Sequence, residues 1–214
     1  MKKTAFASAL AAAFAGTVSA NDVDEAYGSD LWNGIFFGIG IGGTVSSKDT
    51  FKSLENGHET SKNSDRFDGR ISLGSGKVMS AYPVYLGGEL SVDFAKTKNS
   101  SQNFDSRDIR LRNNGIAPSL CFRIGYVTAS STLFFVKAGA VYGKSVVEYD
   151  GWRLTNARLA PIIALGVEKG LSKKITFRGD LEYRLKNTKK NDRYELERGH
   201  AVALKCLFVY HVKY

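Results

Sequence analysis

Arg178, Asp180, Glu182 and Arg184 set charges of both signs on every second residue of one short stretch. In an extended chain such positions share a face, so the four side chains project together. Arg70, Glu89, Asp93, Arg123, Lys137, Arg158, Glu168 and Lys205 repeat the arrangement elsewhere, each within a run of apolar or glycine residues. Carboxylates and cations gathered on one face can do three kinds of chemistry. They can run acid–base catalysis, line an ion path, or neutralise one another as a salt-bridged filling.

Positioning these charges requires strands. Apolar residues alternate with them at a period of two, which is the signature of a two-faced β-strand. Eight segments show it: 32–45, 68–76, 82–95, 114–126, 132–143, 157–168, 175–185 and 202–214. In 175–185, Ile175, Phe177, Leu181, Tyr183 and Leu185 oppose Thr176, Arg178, Asp180, Glu182 and Arg184. In the last segment Val202, Leu204, Cys206, Phe208, Tyr210, Val212 and Tyr214 take one face, and Ala203, Lys205 and His211 the other. Pro118 and Pro161 fall inside two of the segments and weaken them as strands, because proline cannot donate to a ladder. The connections alternate long and short. The long ones are 46–67, 96–113, 144–156 and 186–199; the short ones lie near 77–81, 127–131 and 169–174.

Met1 to Ala20 reads as a secretory signal peptide. Lys2 and Lys3 give the positive start, an alanine-rich apolar stretch follows, and Val18-Ser19-Ala20 is a small-residue cleavage site. The mature chain is expected to begin at Asn21, with 21–31 a periplasmic amino-terminal segment and 32–214 one β-barrel domain. Losing Lys2 and Lys3 lowers the formal charge from +9 to +7. The remaining positive charge is spread through loops and inward positions, with no helix or aromatic platform to read bases, so nucleic acid is not an expected partner. An exported chain with amphipathic strands and no long apolar helix is expected to cross a membrane as a closed barrel. Eight strands make a barrel whose interior is just filled by side chains. That favours the salt-bridged filling over an ion path or catalysis.

The chain resembles the OmpA-like eight-stranded outer-membrane β-barrel superfamily, near the small opacity and surface-antigen porins. The resemblance is carried by 32–43, Tyr85-Leu86-Gly87-Gly88-Glu89-Leu90, Phe135-Val136-Lys137-Ala138-Gly139, Ala164-Leu165-Gly166-Val167-Glu168, Arg178-Gly179-Asp180-Leu181-Glu182-Tyr183-Arg184 and the aromatic end. It covers nearly the whole mature chain; the peptidoglycan-binding domain of full OmpA proteins has no counterpart. The resemblance implies an all-β, antiparallel up-and-down transmembrane barrel in the cell outer membrane. It implies Phe208, Tyr210, Val212 and Tyr214 as an assembly signal for the barrel-assembly machinery, with outer-membrane lipid and lipopolysaccharide as surroundings. The expected function is a non-enzymatic surface protein whose external loops serve envelope integrity or contact with host surface molecules. Its basic loop residues are Lys96, Lys98, Arg107, Arg110, Arg112, Lys189, Lys190, Arg193 and Arg198. A small passive channel is the alternative.

A lipid-modifying outer-membrane enzyme is a weaker reading. A deacylase-like barrel is expected to carry His and Ser on adjacent inward positions of one strand, and the sequences around His58, His200 and His211 hold no such serine. No His pair has metal spacing, and neither metal nor cofactor is expected. Gly38-Ile39-Gly40-Ile41-Gly42-Gly43 contains G-x-G-x-x-G, but it lies inside a strand with polar loop after it, whereas a dinucleotide site needs a strand before it and a helix behind. Cys121 is expected to point inward and Cys206 outward, on nonadjacent strands, which favours two thiols over a disulfide.

Overall fold

A computed structural model describes residues 30–46, 49–53, 59–62, 66–79, 82–95, 100–104, 107–113, 115–149, 152–190 and 194–213. The expected signal peptide, its cleavage site, residues 21–29, His58, Lys96, Lys98, Arg193 and Tyr214 lie outside the described residues. Fourteen strands follow in order: β1 Gly34–Ser46, β2 Asp49–Ser53, β3 Glu59–Lys62, β4 Arg66–Val78, β5 Val84–Ala95, β6 Ser100–Phe104, β7 Arg107–Asn113, β8 Ile116–Thr128, β9 Thr132–Tyr149, β10 Trp152–Gly170, β11 Ile175–Arg184, β12 Asn187–Lys190, β13 Tyr194–Arg198 and β14 Ala201–Val212.

Eight of these close on themselves. The order β10-β11-β14-β1-β4-β5-β8-β9 returns to β10 through an antiparallel β9–β10 ladder, and every neighbouring pair is antiparallel. First and last strands meet from Ile35↔Val212 to Ser46↔Ala201. Closure leaves no unpaired edge around the ring, which strands surrounded by lipid require.

Alternation sets the two faces. On β1, Ile35, Phe37, Ile39, Ile41 and Val45 are exposed, while Phe36 and Thr44 are buried. Glycine fills inward places where strands crowd. A Cβ at Gly40 would collide with the Cys206 carbonyl oxygen and the Leu207 side chain across the β1–β14 seam. The glycine run is therefore a packing device within β1.

The wall is apolar all round. Phe122 is 75% exposed, Leu159 64%, Leu120 60% and Leu165 60%. A contiguous apolar surface of this extent is not sustained in water, and an outward apolar band is what a membrane barrel presents to lipid. Tyr82, Tyr126, Phe134 and Tyr210 are exposed near the short turns, where amphipathic rings suit a membrane interface. Between Val84 and Phe94, β5 at about 40° of tilt rises roughly 25 Å, the height of such a band.

The short connections join Val78 to Val84, Thr128 to Thr132 and Gly170 to Ile175 at one end. The opposite end differs from the sequence expectation of long irregular loops. The 144–156 connection is almost entirely ladder: β9 and β10 run on as a tall hairpin paired to Tyr149↔Trp152. Above Ser119↔Val141, where β8 leaves β9, β7 takes its place from Asn113↔Ser145 to Ile109↔Tyr149, with β6 beyond it. Pieces of the first and last long connections join as a four-stranded sheet, β12-β13-β2-β3. The physical reason lies in Val146-Val147-Glu148-Tyr149 and Trp152-Arg153-Leu154-Thr155, runs of strand formers that continue the pairing, with Val147 opposite Leu154 and Tyr149 opposite Trp152. Pro118 and Pro161 stay in the ladder opposite Val92 and Ala140, and the Pro161 carbonyl accepts from the Leu185 amide at 3.0 Å.

Candidate functional site: the charge-filled barrel interior

The inward residues of the barrel strands carry the charges. Asp68, Glu89, Asp93, Glu168, Asp180 and Glu182 are buried, and so are Arg70, Arg123, Lys137, Arg178, Arg184 and Lys205. These six acids and six bases cancel among the described residues, His211 left aside. Each carboxylate has a cation nitrogen within 2.9 Å. Charge placed in a narrow, low-dielectric space persists only when paired in this way.

The pairs form three connected tiers. Nearest the turns, Glu168 Oε2 accepts from Arg123 Nη2 and Arg178 Nε, both at 2.8 Å. Its Oε1 accepts from Thr176 Oγ1 at 2.5 Å and lies 3.1 Å from His211 Nε2. The other arm of Arg178 donates through Nη1 to Glu89 Oε2 at 2.6 Å. In the middle tier, Lys137 Nζ donates to Asp180 Oδ2 at 2.8 Å and Glu182 Oε1 at 2.9 Å, and sits 3.5 Å from Glu89 Oε1, joining the tiers.

Arg70 links the middle tier to the upper one. It grips Asp93 through Nε and Nη2, at 2.6 and 3.0 Å. It also holds Glu182 with both arms, Nη2 to Oε2 at 2.9 Å and Nη1 to Oε1. Such forked pairs carry geometric as well as electrostatic preference. Toward the hairpin end, Arg184 Nη2 donates to Asp93 Oδ2 at 2.7 Å. Lys205 Nζ donates to Asp68 Oδ2 at 2.8 Å, and Thr44 Oγ1 meets the same oxygen at 2.6 Å.

Below the lowest tier the interior turns apolar. Leu31, Trp32, Val78, Tyr85, Val127, Leu133 and Phe135 form one buried cluster at the turn end. Leu31 and Trp32 precede β1, so the chain entering the barrel folds into its mouth. The Arg123 guanidinium lies over the Phe135 ring at 4.0 Å, and that of Arg178 over Phe36 at 5.0 Å, so flat cations cap the apolar floor. Trp32 meets His211 edge-on at 5.5 Å between ring centres. The mouth at this end is closed by packed side chains.

Of the charged residues read from the sequence, Arg70, Glu89, Asp93, Arg123, Lys137, Glu168, Arg178, Asp180, Glu182, Arg184 and Lys205 are brought together here. For Arg158 in β10, Arg107, Arg110 and Arg112 in β7, Lys189 and Lys190 in β12 and Arg198 in β13, only the backbone is described. Phe208, Tyr210 and Val212 face out. Cys121 is buried, Cys206 half-buried on the outer face, and both are free thiols. Sequence reasoning missed Asp68, Thr44 and Thr176 as members of the network. Asp68 shares the parity of Arg70 and Ser72, which was the available signal.

No family model and no curated protein matches the sequence. Among solved structures, the outer membrane protein OprG from Pseudomonas aeruginosa aligns with a TM-score of 0.52 at 14% identity, over 87% of this chain and 99% of that one. The chain has the fold of the OmpA-like eight-stranded outer-membrane β-barrels. Neisserial surface protein A aligns at a TM-score of 0.47 and 13% identity, over 84% of this chain and all of that one. Ail, the attachment invasion locus protein of Yersinia pestis, aligns at 0.46 and 10% identity, over 83% and 99%. Beyond the closed ring, this chain continues at the end away from the turns as further paired strands.

Proposed function

We propose that this protein is a non-enzymatic surface protein of the outer membrane, whose barrel anchors external hairpins for envelope integrity or contact with host surface molecules. The observation that carries this reading is the filled interior: six acids paired with six bases lie above an apolar floor. A core in which every carboxylate already holds a cation is built for neutralisation. Transport and catalysis both need an open approach, and packed side chains close the turn-end mouth. Strands β2, β3, β6, β7, β12, β13 and the β9–β10 hairpin lie at the end away from the short turns, on a scaffold of the kind that carries binding loops. The basic residues at Arg107, Arg110, Arg112, Lys189, Lys190 and Arg198 belong to these hairpins and suit anionic partners such as lipopolysaccharide phosphates.

Isogenic cells with and without the protein, compared for attachment to host cell layers and for resistance to detergent, test the reading. Loss of attachment or of detergent resistance in the deletion supports it. Unchanged attachment and resistance, together with substantial single-channel conductance of the purified protein, would replace it with the channel.

A further inference from the structure

The lipid-facing wall carries a groove where small residues meet. Strands β4, β5, β8 and β9 enclose a shallow groove of about 590 Å³ on the outer surface. Its cause is a row in register across the four strands, Ser75↔Gly88↔Phe122↔Ala138, in which three of the four outward residues are small. A side-chain atom added at Gly88 would meet nothing within 4 Å, so the glycine opens space outside the wall. Phe122 stands up along one side and Leu86 closes the floor toward the turns.

One row nearer the turns, opposite Leu86, Lys77 points out of the same wall. It has no hydrogen-bond or ion-pair partner among the described residues. Lys169, another outward cation near this end, is occupied by the Ser130 carbonyl at 2.5 Å and the Thr132 hydroxyl at 3.2 Å. A lysine on a lipid face keeps its ammonium at the headgroup level by extending toward the interface. The groove then begins where a headgroup would sit and runs into the hydrocarbon, as an acyl chain does.

We propose that this groove docks one anionic phospholipid of the leaflet at the turn end, its phosphate on Lys77 and an acyl chain laid across Ser75 and Gly88. Close contact of a chain with small residues gains dispersion energy that a convex wall of leucines does not offer. The lysine selects charge, and the groove selects a lipid over a free anion. The proposal rests on the membrane-embedded reading of the wall.

The test uses the full mature protein, folded in detergent and measured by native mass spectrometry with equimolar phosphatidylglycerol and phosphatidylcholine. Folding of each variant is first established by the gel shift between unheated and heated samples. Absence of that shift in the unaltered protein would sink the barrel reading itself, separately from the lipid site. With folding established, the unaltered protein should retain phosphatidylglycerol over phosphatidylcholine by roughly fivefold, the size one lysine at a headgroup gives. Lys77→Gln should bring the ratio near one, and Gly88→Leu, which has room for its side chain, should reduce retention of both lipids. Lys174→Gln, at an exposed turn away from the groove, should leave the ratio unchanged. Equal retention of the two lipids by the unaltered protein, or undiminished retention by Gly88→Leu, would overturn the proposal. So would a loss of preference in Lys174→Gln equal to that in Lys77→Gln.

Discussion

Arg178 joins two carboxylates that no water reaches in bulk: its Nε serves Glu168 and its Nη1 serves Glu89. Arg178→Leu leaves both acids short of a cation in a low-dielectric space. Breaking a buried pair from one side costs about 3–5 kcal/mol. Lys52→Gln, at an exposed position on β2, should stay within about 0.5 kcal/mol. Urea unfolding midpoints of the refolded variants check this, and equal midpoints would contradict the paired interior. At this scale the sequence was informative about direction and silent about partners. Parity alone set Glu89, Asp93 and Arg178 facing inward, because a strand offers only two faces. That Arg70 finds Glu182, 112 positions away, depends on stagger around the closed ring, which no local pattern encodes. Asp68 was overlooked because it stands at the end of its apolar alternation.

Strand register is fixed by what a slip would expose. A slip of one residue on β10 would turn Glu168 to lipid and Leu165 to the interior, so the penalty for charge in hydrocarbon fixes the pairing. Leu165→Arg, near the middle of the outward face, should cost about 2–4 kcal/mol in bilayer-embedded unfolding measurements, while Ala157→Arg, at the hairpin end, should cost about 0–1 kcal/mol. Similar costs at the two sites would argue against a membrane centred on the apolar band. The eight barrel strands were legible because one face of each is greasy. The upper parts of β9 and β10, and the short strands β2, β3, β6, β7, β12 and β13, were not. There the alternating apolar residues are only two to a run, as in Ile109 and Leu111, Val147 and Tyr149, or Trp152 and Leu154, too few to stand out among the polar residues between them, so these stretches read as loop. Pro118 and Pro161 misled in the opposite direction, since long flanking ladders tolerate a missing donor at each.

For the molecule as a whole, the two ends of the barrel do different work. The turn end is sealed by Leu31, Trp32 and Phe135, and the far end is extended by ladders that rise beyond the apolar wall. The connection lengths made this asymmetry visible from the sequence; the folding of those connections into sheets was not visible. The central claim is that this chain is a closed barrel resident in the outer membrane, with a neutralised core. Gel migration of unheated and boiled outer-membrane fractions tests it most directly. A closed barrel resists detergent unfolding, so the unheated protein in that fraction should run as a faster, compact band that shifts to the mobility of its full mass on boiling. A single unshifted band, or recovery of the protein in the soluble periplasmic fraction, would contradict the account.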